Sequence, residues 1–461
     1  MDWLPTIADR TGPRYLQIAD ALASDIGRGR LARGQMLPTH RALAKALGVD
    51  LTTVTRAYAE ARRRGLIEAK VGCGTFVAES ASEVSLPPVA GTEIDLSMNL
   101  PPQPAEADLD GRMARGIAAL SREVGLARYL TYRPTAGSDD ERAAAAAWMR
   151  TRLPGVDAGR LVISSGTQAA LAALLARLTQ RGDVVLTEAL TYPGFRAAAA
   201  LLGVALIGVP MDQHGVKPDA LAAAIRRRQP RLIYLTPTIH NPTTASMTPV
   251  RRREIAAVVA KAKVLLIEDD AYGRLDRSSA TLASLIPERT YLLASLSKCI
   301  APGLRVSLVA APDRAAADAL ADALRATTQM PAPLMTALAL RWLKDGSADA
   351  IISAVRAEAA FRQRLAAKAL SGHTFAAHRY GHHVWLSLPA RWGRAEFAAH
   401  VQSRGLTVIT GDIFNTGPEV PHAIRISLGA VPSRAELARG LGMISAALTA
   451  APASPITDWR F

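Results

Sequence analysis

Residues 295–305 read Ser295-Leu296-Ser297-Lys298-Cys299-Ile300-Ala301-Pro302-Gly303-Leu304-Arg305. The apolar run Tyr291-Leu292-Leu293 precedes them, so the lysine stands just beyond a buried strand. Two serines flank it and an arginine follows seven residues later. A lysine amine condenses with an aldehyde, while hydroxyls and a guanidinium hold a phosphate by hydrogen bonds and charge. The stretch therefore meets the needs of pyridoxal phosphate, with Lys298 as the Schiff-base lysine and Ser295, Ser297 and Arg305 on the phosphate. Outward from it, the apolar runs at 161–163, 184–186, 232–235 and 264–267 alternate with helical stretches at 168–178, 196–202 and 251–263. That alternation predicts an α/β fold with a mostly parallel, helix-covered sheet. From about Asp322 to Phe461 helices mix with shorter strands, which predicts a smaller α/β unit.

Further pieces follow the same strands. Ser165-Gly166-Thr167-Gln168 closes one strand and opens a helix, where free backbone N–H groups cradle a phosphate. Tyr192, in Tyr192-Pro193-Gly194, is an aromatic able to stack on a pyridine ring. Asn241, in His240-Asn241-Pro242-Thr243, offers an amide donor to the ring O3′, and Tyr272 reaches the same oxygen. Asp269 ends another strand, where an acid pairs with a protonated ring nitrogen. Strand ends are where open α/β sheets bind ligands. Singly, Tyr192 reads as core, Asn241 as a turn former, Asp269 as a helix cap and Arg425 as a surface ion pair. Jointly and in this order they read as a cofactor site.

The set resembles the fold-type I aminotransferases over almost all of residues 94–461. The resemblance implies Lys298 as the Schiff-base lysine, Asp269 on the pyridinium nitrogen, Asn241 and Tyr272 at O3′, and Tyr192 stacked on the ring. It implies Gly166, Thr167, Gln168, Ser295, Ser297 and Arg305 around the phosphate. Tyr132, in Tyr132-Arg133-Pro134-Thr135-Ala136-Gly137, matches a tyrosine that reaches the phosphate of the neighbouring subunit. Arg425, in Arg425-Ile426-Ser427-Leu428, matches the arginine that grips a substrate carboxylate in a bidentate pair. A large domain of about 120–325 and a small one of about 96–119 and 326–461 follow from the same resemblance. Thr244 stands where this family's pattern has glycine, and Cys299 where threonine is common.

The first 78 residues are organised differently. Residues 15–25 carry apolar side chains at helical spacing. Thr39 can cap a helix from His40 that Gly48 ends, and Asp50 or Thr52 can start the next, over 53–64. This helix-turn-helix places its second helix for the DNA major groove. Gly72-Cys73-Gly74-Thr75-Phe76-Val77 then reads as the turn of a wing hairpin. Leu37-Pro38-Thr39-His40-Arg41, residues 53–58 (Thr53-Val54-Thr55-Arg56-Ala57-Tyr58) and the wing resemble the GntR-type winged helix. The chain departs from that family at Asp50-Leu51, where Ser-Arg is frequent, which puts a base-reading arginine and the operator sequence in question. Cations hold DNA phosphates and short polar side chains reach base edges. Arg14, Thr39, Arg41, Thr52, Thr53, Arg56, Gly74 and Thr75 are thus the candidate contacts to double-stranded operator DNA. Residues 1–78 hold 12 Lys and Arg against 7 Asp and Glu, a balance suited to that partner.

The whole chain has 461 residues and a net charge of +15, enough length for more than one core and a surplus favouring anionic partners. Its two cysteines, Cys73 and Cys299, lie far apart, so no disulfide framework and no metal site is expected. The N-terminus lacks a signal-peptide pattern, and the longest uncharged apolar stretch, 197–211, is too short and too broken by Gly203, Gly208 and Pro210 to span a membrane. A cytoplasmic protein is expected. Residues 79–95, rich in Ser, Pro and small side chains, read as a linker between a 1–78 winged helix and a 96–461 effector domain. The triplets Arg62–Arg64, Arg226–Arg228 and Arg251–Arg253 read as solvated helix faces, with flanking DNA as the alternative for the last two.

A winged helix fused to an aminotransferase-like domain resembles the MocR-type regulators, a GntR subfamily. That resemblance implies a head-to-tail homodimer in which pyridoxal phosphate sits on Lys298 as an aldimine. An amino acid or amine effector, held by Arg425, displaces the lysine and so repositions the winged helices. The alternatives are a working aminotransferase with a DNA-binding appendage and a sensor of pyridoxal phosphate itself.

Overall fold

The computed structural model describes residues 3–5, 14–27, 30–32, 34–63, 66–70, 74–77, 93–276 and 280–450. The expected linker as far as residue 92, the turn residues Gly72 and Cys73, and Arg64 lie outside the described residues. The chain divides into two compact units, Met1–Glu93 and Ile94–Phe461.

In the first unit the helices are Arg14–Gly27, His40–Leu47 and Leu51–Arg63. Thr39 Oγ1 accepts the Ala42 N–H at 3.3 Å, and Gly48 closes the helix in the left-handed region at φ 62°. Asp50 provides the next start. Its Oδ1 accepts the Thr52 N–H at 2.7 Å and the Thr52 hydroxyl at 2.6 Å, so the helix begins at Leu51, two residues before the expected position. Ile18, Leu22, Leu43, Val54 and Tyr58 are buried together. Each such side chain contributes about 1.5–3 kcal/mol of transfer free energy. Tyr58 Oη donates to the Pro38 carbonyl at 2.9 Å, which fixes the recognition helix to the turn before the preceding helix. Strands Ile67–Lys70 and Gly74–Val77 pair antiparallel, and Gln35 and Leu37 join the hairpin through Val77 N–H to Gln35 O (2.9 Å) and Leu37 N–H to Thr75 O (2.8 Å).

The second unit is built on a seven-stranded sheet in the order Leu161–Ser164, Ser307–Ala310, Thr290–Ser295, Leu265–Asp269, Leu232–Leu235, Val184–Glu188, Ala205–Val209. Ser307–Ala310 runs antiparallel to both neighbours and the other pairings are parallel. Consecutive residues go to opposite faces, as strand geometry requires. Ile163 and Leu292 enter one core, while Val162 and Leu293 enter the core beneath Thr167–Leu178 and Arg314–Thr328. Both faces are therefore apolar, which is why these strands read as continuous hydrophobic runs.

Two strands are not visible in the sequence pattern. Ala205–Val209 lies inside the apolar 197–211 stretch, where Gly203 at φ 70° ends the helix Pro193–Leu202. Ser307–Ala310 begins on a serine and carries only Leu308 and Val309 as large apolar side chains. The expected solvated face at Arg251–Arg253 also needs correction. Arg252 is buried and bonds Glu268 at 3.2 Å, and Arg251 meets both carboxylate oxygens of Asp212; of the three, Arg253 alone is exposed.

Four further strands form a smaller antiparallel sheet in the order Phe375–Ala377, His383–Ser387, Ala423–Ser427, Ile409–Thr410. Ile94–Asp95 pairs in parallel with Leu406–Thr407, and the Leu96 N–H continues that pairing to Thr407 O at 2.9 Å. Among the described residues, no helix is long and apolar enough to cross a membrane, and no group of three or more His, Cys, Asp or Glu side chains could hold a metal ion.

Candidate cofactor site

Past the carboxyl ends of the parallel strands lies a cavity of about 430 Å³. The structure brings eleven of the expected residues to its wall: Thr167, Gln168, Tyr192, Asn241, Asp269, Tyr272, Ser295, Ser297, Lys298, Arg305 and Arg425. Gly166 stands beside them at φ 90°, and a Cβ there would lie 3.1 Å from Arg305 Nη2. Tyr132 is not in the wall. Its side chain is 81% exposed, beside Leu130 at 88%.

Each polar group is positioned by the strand or helix end it occupies. Asp269 ends its strand fully buried, with Oδ2 accepting from Tyr234 Oη at 2.9 Å and Oδ1 left without a hydrogen-bond partner. Burial pushes its carboxyl up to about 6, against the Tyr234 hydrogen bond. Lys298 is half-buried. Loss of solvent, then the nearby Arg425 charge, brings its amine down to about 8. Its Nζ donates to the Asn99 carbonyl. Arg425 is likewise lowered by burial, to about 10. Its Nη1 donates to Asn241 Oδ1 at 2.9 Å and its Nη2 to the Ser97 carbonyl, while Nε has no partner.

Asn99, Tyr234, His382 and His383 belong to this site, and sequence reasoning misses them. Asn99 Nδ2 donates to Tyr272 Oη at 2.7 Å, and His382 Nε2 lies 2.7 Å from the Lys298 carbonyl. No local motif signals them: Asn99 stands 173 residues from Tyr272 and 199 from Lys298. Glu188 is buried at the end of its strand and accepts the Thr236 N–H at 2.8 Å; burial pushes it up to about 7.

The donor set fits pyridoxal phosphate. An unpartnered buried carboxylate oxygen suits a protonated ring nitrogen, because a buried anion without a cation is costly. The glycine at 166 keeps Cβ atoms away from the Arg305 guanidinium at a helix N-terminus, where an anion is favoured. A half-buried lysine whose amine is lowered to about 8 is the nucleophile the aldehyde needs. Fold and pocket together define a fold-type I, pyridoxal-phosphate-binding domain in a chain that also carries a winged helix.

Comparison with known proteins agrees. Residues 92–444 match the family described as "Aminotransferase class I and II", and residues 14–77 match "Bacterial regulatory proteins, gntR family". The chain is 30% identical over 446 residues to the HTH-type transcriptional regulator YdeF of Bacillus subtilis, covering 96% of each chain. It is 30% identical over 424 residues to the vitamin B6 salvage pathway transcriptional repressor PtsJ of Salmonella typhimurium, covering 89% of this chain and 93% of that one. Among solved structures it is similar to LysN, the alpha-aminoadipate aminotransferase of Thermus thermophilus, with TM-score 0.71 and 26% identity over 77% of this chain and 92% of that one. The chain belongs to the family of HTH-type transcriptional regulators that join a GntR domain to an aminotransferase class I and II domain, the MocR-type arrangement. It is a DNA-binding transcriptional regulator whose cofactor is pyridoxal phosphate.

Proposed function

We propose that the regulator senses an amino acid or amine in the cavity and transmits its binding to the winged helix, residues 96–461 acting as the sensor, 1–78 as the DNA reader and 79–95 as the connector. The observation that carries this reading is Arg425, a buried guanidinium at the cavity wall whose Nε is unpartnered and whose remaining donors rest on neutral oxygens. Such a group favours a carboxylate. Pyridoxal phosphate supplies an aldehyde carbon that condenses with one primary amine at a time, Lys298 or an incoming one. Gly166, Thr167, Gln168, Ser295, Ser297 and Arg305 hold the phosphate, Tyr192 covers the ring, and Asn241 and Tyr272 reach its hydroxyl. Asp269 faces the ring nitrogen. Effector binding that differs between two domain arrangements shifts their populations and changes DNA affinity.

Two copies act together, head to tail, in the cytoplasm. The motive is the exposed apolar stretch of Leu126, Leu130 and Tyr132, with Met113 and Val124 also exposed nearby in sequence, which a second copy would cover. Tyr132 then reaches the phosphate held by the neighbouring copy.

DNA is met by the exposed side of the first unit. Arg14, Thr39, Arg41, Thr52 and Arg56 are exposed there, Thr53 and Thr75 are half-buried, and Gly74 is exposed on the wing. Arg56 is held 4.9 Å from the Tyr15 ring centroid, a cation–π contact that preorders it. Arg41→Ala and Arg56→Ala are each expected to lower the slope of log affinity against log salt by about 1 in fluorescence anisotropy. An unchanged slope removes that residue from the phosphate contacts.

The test of the sensor reading is an absorbance titration of the cofactor-loaded protein with a panel of amines, read beside DNA affinity. A spectral change by one amine with a matching change in DNA binding supports it. Two other readings have their own support and their own outcomes. Lys298, placed at the site with its amine brought to about 8, suits amino-group transfer, and steady keto-acid product would favour an enzyme. The likeness to a vitamin B6 salvage repressor favours sensing of the cofactor itself, and DNA binding switched by pyridoxal phosphate alone would establish that.

A further inference from the structure

The cavity wall is unequal in its chemistry. Among the described residues that line it, Asp269 is the one carboxylate, and Lys298, Arg305 and Arg425 are the cations. On the reading above, Lys298, Arg305 and Asp269 all belong to the cofactor. That leaves Arg425 alone for a ligand anion. Of the wall residues that the cofactor reading does not use, Met98, Leu100, Ile239, Ile409 and Ile413 are apolar, and Ser97, Asn99, Thr236 and Thr238 are polar but uncharged. Met98 is 56% exposed, an apolar side chain left in water at the mouth of the cavity.

The two terminal nitrogens of Arg425 rest on substitutes, while its Nε has no partner. The Ser97 carbonyl and Asn241 Oδ1, both neutral oxygens, each take one of its terminal nitrogens. A carboxylate makes the stronger, charge-assisted pair and displaces them. Ser97 belongs to the segment 94–100 that leads in from the connector. The same segment gives the Met98 carbonyl to the Ser427 hydroxyl at 2.6 Å and the Asn99 carbonyl to Lys298.

We infer that the effector is an α-amino acid with a single carboxylate and an apolar side chain, seated between Arg425 and the segment Ser97–Leu100. This rests on the sensor reading above. A second carboxylate would enter the apolar wall with no cation to meet it, and an amine without a carboxylate would leave Arg425 on its weaker oxygens. Displacing Ser97 from Arg425 loosens the stretch of chain that continues to the connector.

The experiment is a spectrophotometric titration of the full-length, cofactor-loaded protein with glycine, alanine, 2-aminobutyrate and norvaline, then with glutamate, aspartate and putrescine. Hydrogen exchange of residues 94–100 is followed in the same samples. Affinity is expected to rise about three- to fourfold for each added methylene. Glutamate and aspartate should bind at least about tenfold more weakly than norvaline. Exchange in 94–100 should speed up with norvaline and not with putrescine. Met98→Lys, at an exposed position, should narrow the gap between glutamate and norvaline. A flat homologous series, or tightest binding by glutamate or by putrescine, overturns this ligand class while the sensor reading stands. No spectral change with any amine removes both.

Discussion

Lys298→Ala protein is expected to fold, to show no lysine-imine band at any concentration of pyridoxal phosphate, and to bind DNA with an affinity that no amine alters. Lys298 is the one lysine in the cavity wall among the described residues, so no neighbour can replace its amine. Truncation should not undo the fold. The half-buried side chain contributes an amine whose charged form is opposed by loss of solvent, and that amine donates to the Asn99 carbonyl, at a loop and not within a sheet. Circular dichroism separates loss of cofactor from loss of structure. The unaltered chain carries a pH signature of the same group. With the amine brought to about 8, its neutral fraction grows about tenfold per pH unit below that value and levels off above it. The rate of cofactor capture, followed by stopped-flow absorbance, should rise with pH in the same way. An imine band in the alanine protein with no amine added would mean that another protein amine holds the aldehyde, and the assignment of Lys298 would fall.

Much of this site is legible in the sequence because its residues sit at the ends of strands that show as apolar runs. Leu161–Ser164, Leu232–Leu235 and Thr290–Ser295 are buried along their whole length, so their hydrophobic runs are unmistakable and the polar residue just past each one stands out. Lys298, Asp269 and Thr167 are visible that way. Ala205–Val209 is not, because it is the edge strand of the sheet, half-exposed for much of its length and interrupted by Gly208. Asn99 and Tyr234 escape for a different reason. Asn99 acts through a backbone carbonyl and an amide, and its partners come from strand ends far along the chain. Tyr234 lies within a buried strand, where a tyrosine reads as core, and only the fold shows its hydroxyl turned to Asp269. Arg252 misleads for the converse reason: an arginine triplet reads as surface until Glu268 is seen beneath it.

Asp269→Asn is expected to move stability and cofactor affinity in opposite directions. In the cofactor-free chain the carboxyl is pushed from 3.8 up to about 6, chiefly by burial. The folded state thus holds this proton more tightly than the unfolded state does. The stability contributed by the group is complete below pH 3.8 and is lost as pH rises from there through about 6. A carboxyl raised that far loses about 3 kcal/mol of folded-state stability once it is ionised. Asparagine carries no charge and escapes that loss, so the cofactor-free variant should unfold at higher urea than the parent at neutral pH, with little difference near pH 4. Loaded protein should behave otherwise. The protonated ring nitrogen needs an anion, and removing one member of a buried charge pair costs about 2–5 kcal/mol, at least about thirtyfold in cofactor Kd. The parent should also lose cofactor affinity as pH falls below about 6, where Asp269 takes up its proton, and the asparagine variant should lack that dependence. A purely structural aspartate would not separate the two effects in this way. On the proposed assignment, the cost of Asp269 to the empty fold is the counterpart of the cation it would meet there, so a variant that gained stability and kept full cofactor affinity would show that the ring nitrogen is met elsewhere.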